Sequence, residues 1–163
     1  MKDEIEAAAD WWAAQLAGEP KHETGDAALN MAHEEAALRR KKPTAEQVAL
    51  FREYLIAKLP EQDGFAGVQW NLETPGWCGY VRGCVLSVDY GPSPFLREAL
   101  LAAGIDPYMA LPVKTVMWVN PGSVKARGGY GAAETQIYPK LTGEDVITDF
   151  INSTPRRHLL PGA

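Results

Sequence analysis

The sequence predicts an α+β fold. An N-terminal helical layer of about three helices packs on an antiparallel sheet of about five strands, with one inserted and one C-terminal helix. Three observations lead there. Up to Leu59 the apolar residues recur every three or four positions, the spacing of one helix face. From Gly64 onward they alternate and become β-branched or aromatic, the spacing of a half-buried strand. Pro- and Gly-bearing turns then divide short runs, ordered ββαβββα, as in an α+β fold with an antiparallel sheet. The length, 163 residues, fits a single domain spanning 1–163. Within it we read a helical part at 3–59, an α+β part at 64–152 and a tail at 153–163.

The first helix runs from Asp3 to Ala17, with Ile5, Ala8, Ala9, Trp12 and Leu16 on one stripe and Gly18 and Pro20 as its stop. Trp11 and Trp12 are about 100° apart on it, so Trp12 falls in the stripe and Trp11 at its edge. Asp26 is the expected N-cap of a second helix reaching Arg40, with Leu29, Ala32, Ala36 and Ala37 inward. Glu35 and Arg39 are four apart and should pair. The run Arg39-Arg40-Lys41-Lys42 suits a helix C-terminus, and Pro43 ends it. A third helix opens with a capping box, Thr44 and Gln47, and buries Val48, Phe51, Leu55 and Leu59.

Two strands are expected at 66–73 and 79–90, joined by the turn Thr74-Pro75-Gly76. In the second, Cys84, Leu86, Val88 and Tyr90 share one face, and Val85, Ser87 and Asp89 the other. Ser93 caps the inserted helix, Pro94 takes its first position, and Gly104 gives the left-handed exit. Strands follow at Val113–Val119, Ser123–Arg127 and Glu134–Tyr138, with a corner at Gly128-Gly129-Tyr130-Gly131. Thr142 opens the last helix.

Charge and cysteine content bound the function. The chain carries 16 Lys and Arg against 21 Asp and Glu, a net of −5. Residues 1–63 hold 8 basic and 13 acidic groups, whereas 64–163 hold 8 of each, so the acidity belongs to the helical part. Such a chain is a poor candidate for nonspecific nucleic-acid binding. No apolar run approaches the roughly 18 residues that span a bilayer. The N-terminus lacks the apolar stretch of a secretory signal. The expectation is a cytoplasmic protein that does not touch membranes.

Candidate chemistry is sparse. Cys78, between Trp77 and Gly79 in a turn, could be an accessible thiol. A thiol nucleophile needs a histidine base, and only His158 follows it. Cys84 reads as a buried apolar residue. His33-Glu34-Glu35 lacks a second histidine four residues on, where Ala37 stands, so no metal is expected. The glycine-rich corner lacks the Gly-Lys-Ser/Thr of a phosphate loop, and no cofactor is implied. Asp89 and Tyr90, with Arg82, Lys114, Lys125 and Arg127, could line a polar site on the sheet.

Three stretches carry a resemblance: Ala9-Asp10-Trp11-Trp12-Ala13-Ala14-Gln15-Leu16, Asp89-Tyr90-Gly91-Pro92 before a capped helix, and Pro112-Val113-Lys114-Thr115-Val116-Met117-Trp118-Val119. Together the chain resembles small accessory proteins encoded by bacteriophages and prophages. That resemblance implies a protein that binds and blocks a host protein or nucleoprotein complex, of the anti-CRISPR type. Asp10, Trp11, Glu34, Glu35, Glu46 and Trp77 are then the expected partner contacts, since aromatic anchors dominate interfaces and carboxylates would meet the partner's Lys and Arg. The alternatives are a small cytosolic enzyme using a cleft between helices and sheet, with Cys78, Asp89 and Tyr90 as its actors, and a phage structural or assembly component.

Overall fold

A computed structural model describes residues 1–18, 27–39, 41–62, 84–129 and 132–140, and for Leu29, His33, Ala36 and Ala37 the backbone alone. Four helices and four strands are formed by these residues: α1 (Lys2–Ala17), α2 (Ala27–Arg39), α3 (Ala45–Lys58), β1 (Cys84–Val88), α4 (Pro94–Ala102), β2 (Thr115–Asn120), β3 (Ser123–Arg127) and β4 (Thr135–Tyr138). A single 3-10 turn, Leu59–Glu61, ends α3, with Pro60 inside it. The strands form one antiparallel sheet in the order β1-β2-β3-β4. The fold is therefore α+β, as the change of period at Gly64 suggests.

The sheet's inner face is apolar. Cys84, Leu86 and Val88 of β1, Met117 and Val119 of β2, and Val124 and Ala126 of β3 are all buried. Helix α1 crosses β2, β3 and β4, and α4 lies on β1. Helix α3 forms a second tier, packed on both α1 and α4. The stripe of α1 fills the junction: Ile5, Ala8, Ala9, Trp12 and Leu16 are buried, and small alanines let the helix approach the sheet closely. Each fully buried large side chain here contributes about 1.5–3 kcal/mol of transfer free energy. Trp11 is half-buried and meets Trp12 edge to face, with ring centroids 5.1 Å apart.

Four of the five expected strands are formed by the described residues, and the fifth, at 66–73, lies outside them, as do the last helix and the tail. Other expectations need correction. The three N-terminal helices do not form one layer on the sheet: α1 lies on it, α3 lies behind α1, and α2 makes no extensive packing with any other described element. Ala32, expected inward, is exposed. Its neighbours Met31 and Leu38 are 70% and 88% exposed. Tyr90 does not continue the inner face of β1. The strand stops at Val88, where Asp89 N–H donates to the Gly91 carbonyl (3.0 Å) and Ser93 N–H to the Ser87 carbonyl (2.8 Å), and Tyr90 turns outward, 70% exposed. The next strand starts at Thr115 rather than Val113 because Lys114 adopts a left-handed conformation, φ 54°.

The two expected caps differ. Thr44 Oγ1 accepts from Gln47 N–H (3.2 Å) while Gln47 Oε1 accepts from Thr44 N–H (3.0 Å), the reciprocal pair of a capping box. Ser93 stands at the N-cap of α4, but its hydroxyl makes no cap bond and is buried without a partner among the described residues. Gly104 takes the left-handed exit of α4, φ 69°.

Glu4 is the exception in α1's buried stripe. It is one of the 13 acidic residues within 1–63, yet only 7% of it is exposed. Its Oε1 accepts from Gly122 N–H (2.9 Å) in the β2–β3 turn, and its Oε2 pairs with the Met1 ammonium. Burial pushes this carboxyl's pKa up, but the ammonium and backbone hydrogen bonds outweigh burial and hold it below its ordinary value.

Candidate functional site

Two concave sites lined by described residues stand out. The larger is a cleft of about 600 Å³ between α2, the α2–α3 connection and the loop after α4. Ala32, Glu35 and Arg39, at spacings of three and four, are the positions of α2 that line it. Lys41, Lys42 and Pro43 continue the wall, and Gln47 forms the floor with Gly104 to Ala110 opposite. Gln47 does two jobs. Its Oε1 completes the capping box, and its Nε2 donates to the Gly104 carbonyl (2.9 Å), fixing the start of α3 to the exit of α4.

The loop opposite α2 is a shaped turn. Asp106 Oδ1 accepts from Tyr108 N–H (2.9 Å), and Ala110 N–H reaches the Pro107 carbonyl (3.3 Å). Tyr108 is thereby presented with 77% of its surface exposed, and Met109 is held left-handed, φ 55°. A non-glycine residue in that region costs about 1–3 kcal/mol and persists where its surroundings impose it, most often at binding sites. On the rim, Arg39 pairs with Glu35 at 2.6 Å, the expected i,i+4 pair. Lys41 and Lys42 are exposed, with no ion-pair partner among the described residues.

The smaller site, about 420 Å³, lies where β1 ends and β2 begins, lined by Ser87, Asp89, Lys114, Thr115, Val116, Arg127 and Gly129. It brings together Asp89, Lys114 and Arg127, which are far apart in sequence. Strand register explains this: Ser87 stands opposite Val116, and Val116 opposite Arg127. Lys114 N–H donates to the Asp89 carbonyl (2.9 Å), its Nζ pairs with Asp89 Oδ1, and the same ammonium lies 3.9 Å from the Tyr90 ring centroid. Asp89 is thus committed to an ion pair and Tyr90 to a cation–π contact. Met109 and Lys114 are the non-glycine residues with positive φ among those described, and each lines one of the two sites.

The other sequence candidates are dispersed. Asp10 pairs with Arg52 of α3 at 2.5 Å, and this hydrogen bond raises the arginine's pKa. Glu34 and Glu35 are exposed on α2, with Glu35 taken by Arg39, and Glu46 is exposed in the first turn of α3. Trp77, Cys78 and Arg82 lie outside the described residues. Cys84 is buried on β1. No group of three or more His, Cys, Asp or Glu that could hold a metal occurs among the described residues. No described helix is long and apolar enough to cross a membrane. Sequence reasoning missed the cleft, because its walls come from residues 32–47 and 104–110. The signals available were the tetrad of cations after α2 and the run Asp106-Pro107-Tyr108, a turn sequence carrying an aromatic.

No protein-family model matches the chain, and no curated protein matches it. Among solved structures it is similar to the BTG/Tob domain of C. elegans FOG-3, with 16% sequence identity, over 94% of this chain and all of that one, at a TM-score of 0.51. At that identity the likeness shows a shared fold. It also corrects the expectation drawn from phage accessory proteins. The structural neighbour is a BTG/Tob domain of an animal protein, so the reading as a phage-borne, anti-CRISPR-type inhibitor or phage assembly component is withdrawn.

Proposed function

We propose that this chain is a protein-recognition domain whose cleft between α2 and the Gly104–Ala110 loop receives an acidic segment with an apolar anchor from a partner protein. The observation that carries this reading is the pairing of exposed apolar groups with cations that have no ion-pair partner among the described residues, around one concavity. Met31 and Leu38 lie seven apart on α2, so they share a stripe one residue round from the cleft-lining positions. Tyr108 projects from the opposite wall, and Lys41 and Lys42 stand between. Exposed apolar groups bordered by charge are the pattern of an interaction site, and Tyr, Met and Arg are enriched at such interfaces. The strained Met109 supports the same reading, because a binding loop held in one conformation loses less entropy when it binds. The Asp89–Lys114–Tyr90 cluster is internally satisfied, which favours recognition over catalysis as the role of this chain.

Site-specific photo-crosslinking in the producing cell tests this. A photo-reactive residue at Tyr108 or Leu38 should trap one protein at near-stoichiometric yield, and the same group at Lys2 should not. The trapped protein should be lost in the Lys41→Glu/Lys42→Glu variant. Equal trapping from all three positions, or no sensitivity to charge reversal, sinks the proposal.

A further inference from the structure

The outer face of the sheet offers a second and independent surface. Its residues are the alternate positions of the strands: Val85 and Ser87, Val116 and Trp118, Lys125 and Arg127. No described helix lies over it, since α1 and α4 both occupy the inner side. Trp118 stands at its centre, half-buried, directly opposite Val85 on one side and Lys125 on the other. Arg127 is the diagonal neighbour, its guanidinium carbon 5.8 Å from the indole centroid. Lys125 and Arg127 are exposed and have no carboxylate partner among the described residues. The described outward positions of the four strands carry no Asp or Glu. Asp89, at the rim, is tied to Lys114.

We propose that this face binds single-stranded nucleic acid, with Trp118 stacking a base and Lys125 and Arg127 contacting the phosphates on either side of it. A sheet surface carrying an aromatic beside a row of cations is how unpaired bases are received without sequence preference. Alternate residues on a strand are about 6.6–6.8 Å apart, the scale of neighbouring phosphates along an extended strand. An acidic peptide would satisfy the two cations but leave the accessible part of the half-buried indole without a planar partner, so the aromatic decides between the two ligands. The net charge of −5 does not forbid this, because its excess carboxylates belong to residues 1–63. Charges separated by more than about 8–10 Å of salt solution are largely screened from one another.

The test is fluorescence anisotropy of a labelled twelve-residue oligothymidylate with the full chain, from low to physiological salt. The parent should bind with a dissociation constant of about 10⁻⁴–10⁻⁶ M. Trp118→Ala should weaken binding about tenfold or more, and Trp118→Phe should retain most of it. Lys125→Gln/Arg127→Gln should lower the slope of log affinity against log salt by about 1.4. That double variant alters exposed side chains, so it decides the matter even where Trp118→Ala does not fold. Absence of binding at low salt, an unchanged slope in the double variant, or equal competition by polyglutamate would each overturn the proposal. Lys41→Glu/Lys42→Glu should leave oligonucleotide binding unchanged, which separates this surface from the cleft.

Discussion

The two faces of the sheet are built by the same four strands and have opposite fates. Met117 and Trp118 are adjacent in β2, yet Met117 is fully buried under the helices, whereas Trp118 lies half-buried among Val85, Lys125 and Arg127. Strand alternation sends one residue of each pair to either side, so neighbours in sequence become strangers in environment. The comparison teaches where stability and recognition separate. Inner positions are closed by α1 and α4 and have no contact left to offer. Outer positions keep their chemistry for something else. The helices repeat the contrast, because α1 buries its stripe on the sheet while α2 leaves Met31 and Leu38 in solvent.

That separation can be broken or sharpened by substitution. Trp12→Ala should have the largest effect, about 3–5 kcal/mol by chemical denaturation, because Trp12 fills the junction of α1, α3 and sheet. Met117→Ala should cost about 2–5 kcal/mol, with the neighbouring Lys125→Gln within about 0.5 kcal/mol of the parent. Equal costs at Met117 and Lys125 would mean that the faces do not differ as described.

Glu4→Gln comes next, at about 1–3 kcal/mol near neutral pH, since it removes a charge that holds both Gly122 N–H and the Met1 ammonium. The sign of its pH dependence follows from its lowered pKa. The folded protein holds this carboxylate below its unfolded value near 4.5, so its contribution is complete above that value. It is lost as pH falls through the folded pKa. Denaturation midpoints of parent and variant should therefore converge in acid, and a constant gap down to pH 2 would refute the linkage.

The smallest contrast concerns the caps. Thr44→Ala should cost about 0.5–2 kcal/mol. Ser93→Ala should change stability by less than about 0.5 kcal/mol or raise it slightly, because its buried hydroxyl caps nothing among the described residues. Thermal melts of the two variants compare them directly, and an equal loss would show that Ser93 caps after all.

Local rules were enough to read much of this protein. The stripe of α1, the capping box of α3, the Glu35–Arg39 pair, the left-handed Gly104 and the inward alternation of β1 each depend on residues within a few positions of one another. Periodicity and capping act over that range, so sequence alone determined these elements and the α+β class. Only the tertiary structure decided the rest. Nothing in the neighbourhood of Glu4 announces a bond to Gly122, 118 residues away. Nothing near Lys41 places Tyr108 across a cleft, and nothing near Asp89 closes Lys114 onto it. The exposure of Ala32 was equally hidden, because helical spacing states which residues share a face and not whether a surface is there to bury them. Contacts of long sequence separation depend on how the packed elements meet, and that geometry is a property of the whole chain.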